Sequence, residues 1–494
     1  MQRTAVINVV GLTDALIGEH TPRIHDFAAR GSRANIEPAF PAVTCTAQST
    51  YLTGATPHSH GIVGNGWFNR ELAEVQFWKQ SNHLVTGRKL WEELRERDSK
   101  FTCAKLFWWH NMYSTADYSI TPRPMYPADG RKVFDIYANP GEIRQEIKRS
   151  LGEFPFATFW GPAAGIDSPQ GPPDAASRWI AESAKWIENK YQPTLNLIYL
   201  PHLDYNLQRH GPFVAADMRR RTNESPANAS SDPPAHAGGC QLNPAIVPDL
   251  RAIDAIVGGL IDFFRQHLVQ VILLSEYGIS NVNRPVHLNR AFRGEGWLTV
   301  KDELGLELLD CGASKAFAVA DHQVAHVYLN DLSLENRVRS LLEKTEGVAA
   351  VLGPQEKSAA GIDHPRAGDL VAIAAENAWF TYYYWLDDRC APDFARTVDI
   401  HRKPGYDPAE LFLDPQITSP KLKIAWRLLQ KELGFRMLMD VVPLDATLVK
   451  GSHGRRPKSV WDYPVLIAEK ASLASNAPIQ ATDVYHVLKR CILG

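Results

Sequence analysis

Cysteine is scarce in this sequence and never occurs in close pairs. The 494 residues include six cysteines, and no two of them form the Cys-x-x-Cys spacing of structural zinc sites and redox motifs. Scattered thiols of this kind argue against a disulfide-stapled secreted scaffold and indicate free cysteines in a reducing compartment. Their positions are Cys45, Cys103, Cys240, Cys311, Cys390 and Cys491.

Long apolar runs are also missing. The stretch from Met1 to Val10 is too short to contain the apolar segment and cleavage site of a signal peptide. No later stretch reaches the length of a transmembrane helix. We therefore expect a cytoplasmic protein without a membrane span.

Net charge is close to zero. The chain carries 53 Lys and Arg residues against 55 Asp and Glu residues, a formal charge of −2. This balance gives no global attraction to a nucleic acid duplex or an anionic membrane, so any anion must be recognised by a local site. The composition is 45% hydrophobic and 22% charged, as in globular proteins, and it leaves the oligomeric state open.

Continuous apolar runs alternate with amphipathic segments over the first 280 residues. Such runs are typical of parallel strands that are covered on both faces. The alternation predicts an α/β fold with a doubly wound, mostly parallel sheet flanked by helices. The predicted strands are 5–10, 101–108, 195–200 and 269–275, and helices at about 175–190 and 250–264 precede the last two.

Changes in composition and in the predicted secondary-structure pattern along the chain predict its domain organisation. Residues 1–280 form the catalytic α/β core, which a polar, turn-rich and flexible insertion interrupts at about 213–248. Residues 281–448 form an inserted α+β cap, with strands predicted at 316–320, 325–329, 370–374 and 379–385. Residues 449–494 return to the core.

Thr44 lies at the predicted start of a short helix that ends at Gly54. The first N–H groups of a helix have no intrahelical partner, so this position favours an anion, although an ordinary N-cap has the same local sequence. Ligands of doubly wound sheets gather outside the carboxyl ends of the strands. The loops after Val10, Leu200 and Ser275 should therefore converge on Thr44.

The wider stretch resembles the nucleophile segment of the alkaline phosphatase superfamily, in particular its nucleotide pyrophosphatase/phosphodiesterase branch. Pro41 precedes Thr44 by three residues, Leu52-Thr-Gly54 matches the helix end, and a run of His60-Gly-Ile-Val-Gly-Asn65 follows. The resemblance implies an alkaline phosphatase-like fold in which Thr44 is the nucleophile. It also implies that Asn65 holds a phosphoryl oxygen as charge develops on it.

The same resemblance implies two zinc ions, one on the nucleophile and one on the attacking water. Two metals a few ångströms apart can stabilise both the entering and the leaving oxygen. Asp204 and His453, the latter in Gly451-Ser-His-Gly454, keep two positions of the water-side ion. Gln208 stands where the third ligand should be a histidine, and His210, two residues further on, is the alternative.

The nucleophile-side ion has lost more of its ligands. Val10 replaces the first aspartate of the pattern, and Asn8 is the nearest oxygen donor. Glu276 and Tyr277 replace an aspartate and a histidine; a glutamate can bind zinc, but a neutral tyrosine is a poor ligand. The predicted cofactor is therefore one or two divalent ions, zinc foremost, with manganese or magnesium as alternatives.

Two further segments are candidates for ligand contacts. Trp108 and Trp109 follow a predicted strand and either stack on a planar part of the substrate or pack in the core. The run Asp321-His322-Gln-Val-Ala-His326 is either a displaced metal site or a strand with hydrogen-bonded core histidines, and its apolar neighbours favour the core.

These features predict a metal-dependent hydrolase of phosphodiester or pyrophosphate bonds that acts through a phosphoryl-threonine intermediate on a small phosphorylated substrate. One alternative is a phosphonate or phosphomonoester hydrolase of the same superfamily. The other is a non-catalytic relative that binds a phosphorylated metabolite or a partner protein. The eroded nucleophile-side metal site favours the non-catalytic relative, whereas retention of Thr44 and Asn65 favours chemistry.

Overall fold

A computed structural model describes residues 1–128, 132–214, 241–469 and 477–494. The strands, in chain order, are β1 Thr4–Val9, β2 Ser32–Glu37, β3 Gly66–Asn69, β4 Glu74–Phe77, β5 Cys103–Leu106, β6 Tyr118–Pro122, β7 Ile136–Asn139, β8 Leu195–Leu200, β9 Gln270–Leu274, β10 Ser280–Asn281, β11 Arg284–Val286, β12 Thr299–Glu303, β13 Leu306–Asp310, β14 Ala316–Asp321, β15 Val324–Leu329, β16 Val348–Leu352, β17 Leu370–Ala374, β18 Ala378–Phe380, β19 Gly451–Ser452, β20 Val465–Ala468 and β21 Ile479–Gln480.

Helices connect most of these strands. The α-helices within the described ranges are α1 Pro22–Arg30, α2 Thr44–Thr53, α3 Pro57–His60, α4 Leu90–Arg97, α5 Glu142–Leu151, α6 Ala175–Tyr191, α7 His202–His210, α8 Val247–Gln266, α9 Leu288–Gly294, α10 Glu335–Lys344, α11 Pro354–Ala359, α12 Pro420–Glu432 and α13 Asp483–Leu493. No helix in those ranges is long and apolar enough to cross a bilayer.

The core is a nine-stranded sheet in the order β21-β2-β20-β9-β1-β8-β5-β6-β7. Strand β1 pairs in parallel with both β8 and β9, and β5 pairs in parallel with β8 and β6. Only β20 and β7 run antiparallel to their described neighbours. The prediction of a mostly parallel sheet flanked by helices is confirmed.

The register of the central strands fixes where their loops emerge. Val9 of β1 pairs with Leu200 of β8, and Asn8 pairs with Leu274 of β9, so the three carboxyl ends lie side by side. All six residues of β1 are buried, which agrees with its continuous apolar run. The loops that begin at Val10, Pro201 and Ser275 therefore emerge at one edge of the sheet.

The predicted elements agree with the structure except at two aromatic segments. Strand β5 ends at Leu106 rather than at Trp108, because Phe107 has a φ of 62° and leaves the extended conformation. The strand predicted over residues 379–385 is reduced to β18, which ends at Phe380. The following tyrosines and Trp385 are buried without strand pairing, so apolarity there reflects packing.

A second apolar cluster lies around a four-stranded antiparallel sheet in the order β14-β15-β17-β16. Most of that cluster comes from residues 282–449, the range predicted to form the cap, although the domain boundaries themselves stay a prediction. Residues 215–240, the greater part of the predicted flexible insertion, lie outside the described residues, as does Cys240.

Candidate functional site

Thr44 is the first residue of helix α2, at the edge of the sheet where the central strands end. Val43 before it is extended, and Gly54 ends the helix with a left-handed φ of 67°. Both boundaries follow the sequence pattern, with the loop after Pro41 leading in and a glycine closing the helix. The Thr44 side chain is 3% exposed, so the site is enclosed.

Thr44, Tyr277 and Asp204 form a hydrogen-bonded chain. The hydroxyl oxygens of Thr44 and Tyr277 are 3.1 Å apart, and the Tyr277 hydroxyl donates to Asp204 Oδ1 over 3.3 Å. When Asp204 is ionised it can only accept, so Tyr277 gives it its one hydroxyl proton and Thr44 is then the donor to Tyr277. The chain runs from the predicted nucleophile to a buried carboxyl group.

Asp204 and Gln208 face each other one turn apart on helix α7. Gln208 Nε2 donates to Asp204 Oδ2 over 2.7 Å, and the Tyr406 hydroxyl donates to Gln208 Oε1 over 3.0 Å. Burial raises the pKa of Asp204 to about 7, and the bonds from Gln208 and Tyr277 oppose that rise. Both oxygens of the carboxyl group therefore have protein donors.

Glu276 is capped by two amides. Asn8 Nδ2 and Gln48 Nε2 both donate to Glu276 Oε1 over 2.5 Å, while Oε2 is buried without a partner among the described residues. Burial raises the pKa of Glu276 to about 8, although both amide bonds lower it. Val10, where the pattern has an aspartate, is fully buried and offers no ligand atom.

His453 reaches the site because strand β19 pairs with β10, which follows Tyr277 in the chain. Gly451 is required in this strand, since a Cβ there would lie 2.0 Å from the carbonyl oxygen of Leu207. His453 Nδ1 lies 2.8 Å from the carbonyl oxygen of Ala42, which can only accept, so Nδ1 carries the proton. Burial lowers the pKa of His453 to about 3, which leaves the ring neutral.

The ring of His453 is stacked on the Tyr277 ring and lies tilted against the His322 ring. Its centroid lies 3.6 Å from that of Tyr277 at 9° and 3.6 Å from that of His322 at 36°. His453 Nε2 is buried and has no partner among the described residues. Nδ1 of the neighbouring His322 is likewise buried without a partner among the described residues, so the cluster has two free ring nitrogens.

Asn65 is held by Asp321 and in turn holds the start of helix α2. Its backbone N–H donates to Asp321 Oδ2 over 2.7 Å and its Nδ2 to Oδ1 over 3.1 Å. Asn65 Oδ1 accepts from the backbone N–H of Cys45 over 3.0 Å. One of the two Nδ2 hydrogens is therefore committed to Asp321, and burial raises the pKa of that carboxyl group to about 7.

Asp321 and His322 are site residues whose role the sequence pattern did not predict. The pattern offered them only as part of a displaced metal site or of the core. The structure separates them from His326, whose two ring nitrogens bond the carbonyl oxygen of Val63 and the N–H of Gly368. His326 is thus a hydrogen-bonded core residue, whereas Asp321 and His322 pack against Asn65 and His453. The only sequence feature that could have indicated a site here is the position of Asp321 at the end of a predicted strand.

Three other predicted site residues lie elsewhere or at the margin. His210 is exposed at the end of helix α7, six residues from Asp204 and so on a different side of the helix. Trp108 is fully buried in the apolar core of the sheet. The ring of Trp109 lies 4.6 Å from that of Trp78, tilted by 42°, and its backbone N–H donates to Gln48 Oε1 over 2.7 Å.

The donor sets do not fit the predicted pair of metal ions. On the nucleophile side, the available groups are Oε2 of the amide-capped Glu276, the unpartnered amide oxygen Asn8 Oδ1, which is a weaker ligand than a carboxylate, and a tyrosine whose pKa burial raises further. On the water side, Asp204 and His453 supply one carboxylate and one imidazole, fewer than the three protein ligands of a catalytic zinc site. Within the described ranges, no cluster of three His, Cys, Asp or Glu residues could hold a metal.

Solved structures with the same fold cover nearly the whole chain. Murine ectonucleotide pyrophosphatase/phosphodiesterase 5 is 13% identical with a TM-score of 0.54, covering 100% of this chain and 95% of its own. An inactive form of that murine protein with AMP is 14% identical with a TM-score of 0.55, at the same coverage. Phosphonoacetate hydrolase from Sinorhizobium meliloti 1021 with phosphonoformate is 12% identical with a TM-score of 0.58, covering 99% of this chain and 96% of its own.

At these identities the structures establish an alkaline phosphatase-like fold and nothing more specific. Among curated proteins, no sequence matches that of this chain. Residues 4–407, however, match the family described as type I phosphodiesterase/nucleotide pyrophosphatase. That range includes most of the chain and every site residue above except His453. The chain therefore belongs to the type I phosphodiesterase/nucleotide pyrophosphatase family of the alkaline phosphatase superfamily, a family of phosphodiesterase- and pyrophosphatase-type hydrolases.

Proposed function

We propose that this chain hydrolyses phosphodiester or pyrophosphate bonds of a small phosphorylated substrate, with Thr44 as the nucleophile and a phosphoryl-threonine intermediate. Membership of the family supports the reaction class. The observation that carries the proposal is the hydrogen-bonded chain from Thr44 through Tyr277 to Asp204. It gives the nucleophile a path for its proton.

The direction of the two hydrogen bonds fits that path. As Thr44 Oγ1 forms a bond to phosphorus, the bond from phosphorus to the leaving oxygen breaks. The Thr44 proton passes to the Tyr277 oxygen while the Tyr277 proton passes to Asp204. In the second step, a water oxygen replaces Thr44 Oγ1 on phosphorus and one water proton is released to solvent, from which the departed leaving oxygen takes up a proton. The proton held on Asp204 returns through Tyr277 and restores the threonine hydroxyl.

The helix N-terminus and Asn65 would hold the developing negative charge. The first N–H groups of helix α2 have no intrahelical partners, although that of Cys45 already donates to Asn65 Oδ1. Asn65 Nδ2 has a second hydrogen beyond the one committed to Asp321. Each preorganised donor to such a charge contributes about 3 kcal/mol to lowering the barrier.

The family is in general dependent on divalent metals. The ligand sets for the predicted one or two ions, zinc foremost, are incomplete in this chain, and the proton transfers above involve only protein side chains and water. If a divalent ion binds, Asp204 and His453 would hold it, and its chemistry would be to polarise a phosphoryl oxygen.

A non-catalytic relative is the second candidate, and the closure of the site favours it. Thr44 and Asn65 are 3% and 2% exposed, and the Tyr277 ring fills space beside the predicted nucleophile. A phosphorylated ligand would then bind without turnover. Access of any ligand to Thr44 requires the surrounding side chains to move.

The test is hydrolysis of bis(p-nitrophenyl) phosphate, a dinucleotide pyrophosphate and phosphonoacetate by the wild type, Thr44→Ala and Thr44→Ser. We expect diester or pyrophosphate turnover that falls by about a thousandfold or more in Thr44→Ala and is partly retained in Thr44→Ser. Thr53→Ala, at the other end of helix α2, is the matched control and should retain activity. Turnover of phosphonoacetate alone would favour the phosphonate hydrolase, and AMP binding without any turnover would favour the non-catalytic relative.

A further inference from the structure

Helix α12 presents its apolar side to solvent. Leu422, Trp426, Leu429 and Leu433 are 72%, 57%, 49% and 64% exposed. Residues four, seven and eleven positions apart return to the same side of a helix, so these four form one stripe. None of the thirteen residues of α12, all of them described, is buried.

The charged side of the same helix is bound to Asp440, in the segment that follows the helix. Lys423 Nζ lies 2.9 Å from Asp440 Oδ2, and Arg427 lies 3.0 Å from Asp440 Oδ1. Lys423 Nζ also donates to the carbonyl oxygen of Asp440 over 2.7 Å. A surface helix of a globular protein normally turns its apolar stripe inward, and these ion pairs fix the opposite orientation.

The chain after the helix enlarges this surface. Phe435 and Leu438 are 65% and 39% exposed, and Leu428, about 100° around the helix from Leu429, is 44% exposed. Seven large apolar side chains are thus exposed between Leu422 and Leu438. We call these seven residues the apolar patch. A contiguous patch of this kind marks an interaction site rather than ordinary surface variation.

Positive charge surrounds the patch. Lys421, Lys431 and Arg436 are exposed, and Glu432 is the single acidic residue between Lys421 and Leu438. The whole chain has a formal charge of −2, so this local excess of positive charge is specific to the segment. Basic residues beside a stripe of Leu, Trp and Phe are the composition of a helix that lies in the interface of an anionic membrane.

We propose that the apolar patch docks on the surface of an anionic lipid bilayer, with helix α12 parallel to the membrane plane. Two observations favour lipid over protein. Lysine is depleted at protein interfaces, whereas anionic headgroups attract it. A second copy would place its own lysines against those of the first, because a two-fold interface pairs the same surface with itself. Docking is peripheral and independent of catalysis at Thr44.

The test is co-sedimentation of the full chain with vesicles of phosphatidylcholine that contain phosphatidylserine, compared with phosphatidylcholine alone. We expect binding to the anionic vesicles that weakens at high salt and falls at least about tenfold in Leu433→Glu. Leu332→Glu is the matched control, since Leu332 is 65% exposed outside the patch, and it should bind as the wild type does. Lys421→Glu combined with Lys431→Glu should lower binding, whereas Lys344→Glu should not.

Three outcomes would overturn the proposal. The first is wild-type protein that stays in the supernatant with anionic vesicles. The second is Leu433→Glu that sediments as well as the wild type. The third is a dimer, seen by light scattering without lipid, that Leu433→Glu converts to monomer, because a second copy would then be the occupant. Far-ultraviolet circular dichroism of each variant separates loss of docking from loss of folding.

Discussion

The Tyr277 hydroxyl lies 3.1 Å from the Thr44 hydroxyl, where the related sequence pattern has a metal-ligating histidine. One substitution therefore removes a ligand and supplies a hydrogen-bond partner for the predicted nucleophile. The same Tyr277 hydroxyl donates to Asp204. In the family pattern these two positions hold ligands of different metal ions, whereas here they are joined by a hydrogen bond.

Removal of the Tyr277 hydroxyl should slow turnover without weakening substrate binding. In Tyr277→Phe the ring still stacks on His453, but the proton path from Thr44 to Asp204 is broken. We expect kcat to fall by about a hundredfold and KM to change little, the range expected for loss of general acid–base assistance. Steady-state kinetics on the diester measure both constants. A fall in Tyr277→Phe no larger than in a conservative variant outside the site, such as Tyr113→Phe, would count against the relay.

Restoring the family ligands on the nucleophile side should create a metal site. The variant Val10→Asp/Glu276→Asp/Tyr277→His supplies two carboxylates and an imidazole beside Thr44. We expect it to retain about one more zinc ion per chain than the wild type, measured by elemental mass spectrometry after gel filtration. The control Val10→Asn/Glu276→Gln/Tyr277→Phe has similar volumes without those ligands. Equal metal content in wild type and restored variant would show that our donor-set argument is wrong.

Gln208→His should strengthen metal binding on the water side. Gln208 lies one helical turn from Asp204 on helix α7, so a histidine there would complete a set of three ligands with Asp204 and His453. We expect zinc affinity to rise at least about tenfold by isothermal titration calorimetry. Gln208→Leu should show no gain, and addition of His453→Ala to Gln208→His should abolish it. A gain that survives His453→Ala would place the metal elsewhere.

Asp321 should contribute to stability through Asn65. It accepts bonds from both the backbone and the side chain of Asn65 in a buried setting. We expect Asp321→Ala to lower the free energy of unfolding by about 2–4 kcal/mol, because two buried donors lose their acceptor. Urea denaturation measures the change. Asp26→Ala, at an exposed ion pair, should change stability by less than about 0.5 kcal/mol, and a similar loss in both variants would contradict the assignment.

Lys105 should make stability depend on alkaline pH. Burial lowers the pKa of Lys105 to about 7 in the folded chain, whereas an unfolded lysine titrates near about 10.4. Between these values the unfolded chain binds one more proton, so the Lys105 contribution to the unfolding free energy rises with pH. Lys105→Met should flatten that rise, which urea denaturation at pH 7, 8 and 9 would measure. An unchanged slope in Lys105→Met would contradict the assignment.

Local patterns were sufficient to predict the start and end of helix α2, the buried strands β1, β8 and β9, and the meeting of their loops. These features depend on neighbouring residues and on the parallel pairing of central strands. The stacking of His322 on His453 was not predictable, because it depends on how β14 and β15 pack against the core. The hydrogen bond from Gln48 to Glu276 was not predictable either, because it joins helix α2 to the loop after β9 and nothing in the local sequence distinguishes Gln48 from other helical residues.

The most direct test of the account is to trap the covalent intermediate. Protein quenched in acid during turnover of bis(p-nitrophenyl) phosphate would be digested and analysed by mass spectrometry. We predict a nitrophenyl-phosphoryl or phosphoryl adduct on Thr44 in the wild type and none in Thr44→Ala. Absence of both adduct and turnover in the wild type, with zinc, manganese or magnesium added and without, would contradict the account and leave the non-catalytic relative.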